Sequence, residues 1–84
     1  MPVIAKFYGI IIKMYFIRNE HGVARFHAIY GELNAIFGID SLEMIEGDLS
    51  GRAQLFVKEW AKFYQKELQE MWDSQKFMQL PRLE

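Results

Sequence analysis

The chain has 84 residues, of which 51% are hydrophobic and 15% aromatic, with ten Lys and Arg against eleven Asp and Glu for a net charge of −1. That length allows a single domain spanning residues 1–84 with one modest core, and the hydrophobic content is too high for a disordered chain. The near-neutral charge argues against a generic polyanion binder, and with no cysteine there are no disulfide frameworks, thiolate metal sites or Cys nucleophiles.

Residues 2–17 (PVIAKFYGIIIKMYFI) are dense in β-branched and aromatic side chains, which favour strands. From Ile10 the pattern alternates, with Ile10, Ile12, Met14 and Phe16 on one face and Ile11, Lys13, Tyr15 and Ile17 on the other. The first face is wholly apolar and is the expected core face. Gly9, in mid-run, marks a bend that would divide the segment into two short strands. Lys6 and Lys13 interrupt this run, no small-residue cleavage site follows, and no stretch reaches the roughly 18 apolar residues of a membrane helix. A soluble, cytoplasmic protein without membrane association is expected.

Arg18 to Gly22 reads as a hairpin loop. In the strand that follows, Phe26, Ala28 and Tyr30 share the inward face, which puts Arg25, His27 and Ile29 on the opposite one beside Lys13 and Tyr15. Gly31-Glu32 turns the chain into a third strand, Leu33 to Ile39, with Ala35, Phe37 and Ile39 inward. After Asp40-Ser41 a short fourth strand runs from Leu42 to Ile45.

From Leu49 the period changes to that of a helix. Ala53, Val57, Trp60, Tyr64, Leu68 and Met71 form one stripe, and Phe56, Ala61, Phe63 and Trp72 widen it. Asp48 or Ser50 is placed to cap its start. A helix over residues 50–74 would be roughly 37 Å long at 1.5 Å per residue, longer than the sheet is wide, so its last turns overhang or fold back ahead of the tail at 75–84. The fold expected is α+β: an antiparallel meander of four strands over about residues 3–46, or five if Gly9 splits the first, packed on one long C-terminal helix.

Several residues carry candidate chemistry. His27 has Arg25, Tyr30, Glu32, Lys13 and His21 nearby in the pattern, and a histidine flanked by a cation and a phenol could act as general acid or base in phosphodiester cleavage. The bland reading is a half-exposed strand histidine. His21 and His27 fall short of the three or four protein ligands usual at zinc, so no metal and no cofactor are expected. Lys58, Lys62 and Lys66 form a ridge at i, i+4 spacing that could follow a phosphate backbone, although Glu59, Glu67 and Glu70 interleave as on an ordinary solvated helix. Trp60 and Trp72 are core or edge packing before they are platforms for bases. A face carrying Ile11, Lys13, Tyr15, Ile29 and Ile36 opposite the helix is the expected contact for a protein partner or a second copy.

The segments Ala5-Lys6-Phe7-Tyr8-Gly9-Ile10-Ile11-Ile12-Lys13-Met14-Tyr15-Phe16, Phe26-His27-Ala28-Ile29-Tyr30-Gly31-Glu32, Ile45-Glu46-Gly47-Asp48-Leu49 and Glu59-Trp60-Ala61 resemble a family of small bacterial proteins, the domain of unknown function family 4160. The resemblance runs nearly end to end. Where that family commonly reads E-H-N-P-P-H-[FI]-H-A, this chain reads Glu20-His21-Gly22-Val23-Ala24-Arg25-Phe26-His27-Ala28, so His21 and His27 carry over. Arg25 stands in place of the middle histidine, and both prolines are absent. The resemblance implies a gene beside a small partner gene, arranged like a toxin and antitoxin, with this chain in the toxin place. The function expected is therefore an interaction protein of a two-gene module, acting on RNA or translation and neutralised by a protein partner. The alternatives are a small ribonuclease-like or other hydrolytic enzyme using His27, and a homodimer with a structural or ligand-binding role.

Overall fold

The computed structural model describes residues 3–14 and 24–82, so the expectations for Tyr15, Phe16, Ile17 and the Arg18 to Gly22 loop, His21 included, lie outside the described residues. Five strands, β1 (Val3–Phe7), β2 (Ile10–Lys13), β3 (Arg25–Tyr30), β4 (Leu33–Gly38) and β5 (Met44–Gly47), form one antiparallel sheet in sequence order. The split at Gly9 is present. Tyr8 and Gly9 both have positive φ, 51° and 79°, which matches the twist of a two-residue primed hairpin turn between β1 and β2.

Alternation sorts the side chains of the sheet into two faces. Ile10, Ile12, Phe26, Ala28, Ala35 and Phe37 are buried against the helices. The register of β1 shifts between Val3 and Ala5, and this irregularity explains how two consecutive residues, Ile4 and Ala5, are both buried. Tyr30 shares the face of Phe26 and Ala28, yet it is 42% exposed. It stands at the end of β3 over the Tyr8-Gly9 turn, where a Cβ on Gly9 would come within 3.2 Å of the Tyr30 ring.

The expected single long helix is corrected to two, α1 (Gly51–Phe63) and α2 (Gln65–Ser74), meeting at Tyr64. Ser50 is the cap of α1, its hydroxyl accepting from the Ala53 N–H, which satisfies one of the free amides of the first turn. Tyr64 has φ −114° and ψ 21°, far from helical values, and its N–H reaches the Trp60 carbonyl at a stretched 3.3 Å. The Gln65 side-chain amide donates to the carbonyls of Ile39 and Asp40 at 2.8 and 3.0 Å, tying the bend to the end of β4. The geometry explains the break: a straight helix of roughly 37 Å would outrun a molecule whose longest dimension is 33 Å. Bending at Tyr64 keeps Leu68 and Met71 on the core with Ala53, Val57, Trp60 and Ala61. Phe63, expected to widen this stripe, lies off it and is 72% exposed.

After α2 the chain reverses at Gln75, a left-handed residue with φ 58°. The tail then folds back along β1, where the Leu80 N–H donates to the Ile4 carbonyl at 2.8 Å. Trp60 is the centre of the core, against Phe7 at 5.4 Å, Phe26 at 6.2 Å and Tyr64 at 5.6 Å between ring centroids. No helix among the described residues is long and apolar enough to cross a membrane.

Candidate functional site

Strand pairing places the candidate residues in a row across the face of the sheet turned away from the helices, called here the outer face. Val3 pairs with Lys13, Lys13 with His27, His27 with Ile36, and Ile36 with Glu46. Directly paired residues point to the same side of a sheet, so these five side chains cross all five strands in one line. A second row beside it runs Lys6, Ile11, Ile29 and Asn34. Ile11, Ile29 and Ile36 are half-buried.

Two outer-face residues escaped the sequence pattern. The register of β4 and β5 shifts between Ile36 and Phe37, which releases Ile45 from strict alternation. Its side chain packs where a Cβ on Gly38 would lie, 3.3 Å from the Ile45 Cδ1, and it is 52% exposed. Glu46 is likewise delivered to the His27 row by this shift. No local motif announces such a bulge.

The His27 imidazole is held below its ordinary value of 6.5, first by burial and then by the Arg25 charge, with the Glu46 carboxylate opposing in part. Its surroundings therefore favour the neutral, proton-accepting ring over the imidazolium. Arg25 starts from the same face by alternation, but its guanidinium leaves the row and reaches α2, 5.5 Å from the Trp72 ring centroid in a cation–π contact.

The other predicted residues are not gathered at His27. Tyr30 is on the opposite face, and Glu32 is exposed in the turn beyond the far end of β3. Lys58 is half-buried on α1, Lys62 is exposed near its end, and Lys66 is exposed on α2, so the basic ridge passes over the Tyr64 bend. Lys66 also lines a shallow depression with Asp40, Gln65 and Glu70, where acid and base mix. Among the described residues no group of three or more His, Cys, Asp or Glu is placed to hold a metal ion.

A five-stranded meander covered on one side by two helices that meet at Tyr64, with the row through His27 on the other, defines a small α+β protein. The chain belongs to the family described as Domain of unknown function (DUF4160), whose model matches residues 9–73. That span contains β2 to β5, α1 and nearly all of α2. Neither a curated protein nor a solved structure matches the chain.

Proposed function

We propose that this chain is the interaction protein of a two-gene bacterial module, acting as its toxin on RNA or a component of translation, and that a protein partner silences it by seating on the outer face. The observation that carries the reading is the position of His27 between Lys13 and Ile36, with Ile11 and Ile29 in the adjacent row. Apolar side chains on neighbouring strands give a partner surface to bury, and charged groups among them give it register. A partner bound there would cover His27, so binding and inhibition would be one event. The resemblance to a toxin-like arrangement supplies the remainder of the reading.

The test is expression of the chain alone in bacteria. Growth should slow, and His27→Ala or Arg25→Ala should relieve the effect while the circular dichroism spectrum stays that of the folded protein. Normal growth at high soluble expression of the unmodified chain would contradict the toxin role. Equal toxicity of all three versions would move the site away from His27.

A second reading, a ribonuclease-like enzyme, is favoured by one observation. The lowered pKa of His27 keeps it in the proton-accepting form at neutral pH. In that case purified protein should cleave single-stranded RNA, and His27→Ala should abolish cleavage by the purified chain. Homodimerisation through the same face is the third reading, distinguished by particle mass in the absence of any partner.

A further inference from the structure

On the helix side of the sheet, separated from His27 by the sheet itself, there is a cleft of about 390 Å³. One wall comes from the β1–β2 turn. Asn-Gly is the usual filling of such a turn because both central residues need positive φ, yet its first position here is Tyr8, a bulky aromatic at φ 51°. The Tyr8 ring lies on the Phe56 ring at a centroid distance of 4.7 Å, and the Arg52 guanidinium lies 5.6 Å from the same Phe56 centroid. Tyr8 and Arg52 thus both lie against the Phe56 ring at the cleft.

Tyr30 contributes a third ring, seated over the bare backbone of Gly9. Tyr8 is 49% exposed and Tyr30 42%, so the cleft presents two phenol rings to solvent. Ile10 and Ala53 supply an apolar base. Among the described residues, Arg52 is the one basic residue of the lining, and no acidic residue contributes to it.

This lining selects among ligand classes. Aromatic faces alone would attract a cation, but Arg52 opposes one. A neutral apolar ligand would use the rings and leave the guanidinium with no anion, only its cation–π contact to Phe56. A planar ring joined to an anionic group uses both, and nucleobases stack on tyrosine rings and on guanidinium planes with little dependence on which base is present. The volume falls in the range of small-ligand sites.

We propose that this cleft binds one nucleotide unit, its base stacked on the Tyr8 and Tyr30 rings and its phosphate held by Arg52. The unit comes as a free mononucleotide or as one link of a single strand. The site shares no residue with the His27 row, so it stands or falls apart from the partner reading of the outer face.

The experiment is an NMR titration of the full chain with adenosine monophosphate, adenosine, inorganic phosphate, a short oligoadenylate and an acetylated Asp-Phe dipeptide. Adenosine monophosphate should saturate, shifting resonances of Tyr8, Tyr30 and Arg52, and adenosine and phosphate should each bind about tenfold more weakly or less. Tyr30→Leu and Arg52→Gln, both at exposed positions, should each weaken the monophosphate by about tenfold. Tighter binding of the oligoadenylate identifies a single strand as the source, and equal affinity per unit identifies the free nucleotide. The proposal is overturned if neither nucleotide ligand saturates at millimolar concentration, if phosphate alone matches the monophosphate, or if both substitutions leave its affinity unchanged. Tighter binding of the dipeptide would overturn it in favour of a protein ligand.

Discussion

The Trp60 indole N–H donates to the Pro81 carbonyl at 2.9 Å, joining α1 to the tail across 21 residues of sequence. The bond closes the core on the side of β1, since Leu80, next to Pro81, is buried and bonded to Ile4. Trp60→Phe keeps a ring in the core but leaves the Pro81 carbonyl without its donor and opens a gap where the larger indole stood. It should cost about 2–4 kcal/mol in urea denaturation. Leu80→Ala should cost about 2 kcal/mol in the same measurement.

Gly47 is the backbone residue on which β5 depends. It has φ 88°, and a Cβ there would run into the Asn34 carbonyl oxygen and lie 2.8 Å from the Ala35 Cα. Both are main-chain atoms that cannot swing aside. Gly47→Ala should therefore destabilise the protein by more than about 2 kcal/mol. Gly51→Ala, at a position with no atom within 4 Å of the added Cβ, should change stability by less than about 0.5 kcal/mol.

His27 makes stability depend on pH, with a definite sign. Its folded pKa lies below 6.5, so between the two values the unfolded chain binds the proton and the folded chain does not. The contribution of His27 is then fully present above about 6.5 and is lost as pH falls through the folded value. Thermal unfolding of the protein should shift downward on acidification through this window. The shift should be smaller in His27→Gln, and an equal slope in both would show that the ring is not held neutral by its surroundings.

Much of this fold was legible in periodicity. The inward sets of β2, β3 and β4, the split at Gly9, and the stripe from Ala53 to Met71 follow from spacings of two and of three to four, because burial acts on whole faces. What alternation could not show were the places where the count slips. The bulge in β1 buries both Ile4 and Ala5, and the shift between β4 and β5 moves Ile45 and Glu46 to the outer face. The bend at Tyr64 was illegible for another reason. The Trp60 to Tyr64 to Leu68 spacing is that of an unbroken helix, and only the limited width of the sheet and the Gln65 bonds to Ile39 and Asp40 decide where it bends. Of the candidate site, the placing of Lys13, His27, Ile29 and Ile36 on one face was readable. The separation of Tyr30 from His27 was readable too, since alternation sends them to opposite faces, whereas the place of Glu32 in the turn beyond the far end of β3 was hidden because closeness in sequence says little about distance across a sheet. Tyr8 at a turn position usually held by Asn was a visible irregularity, but its stacking on Phe56 joins elements far apart in the chain.

The most direct test of the central claim, that the outer face is a protein contact, is light scattering on the purified chain and on Ile29→Glu. Ile29 lies beside Ile11 in the outer row and away from the buried set, so a charge there should be tolerated by the fold and not by an interface. The account predicts that the unmodified chain is an oligomer or a complex with its partner, and that Ile29→Glu is a folded monomer. An unmodified chain that already runs as a free monomer, or an Ile29→Glu chain that unfolds as a core substitution would, would contradict it.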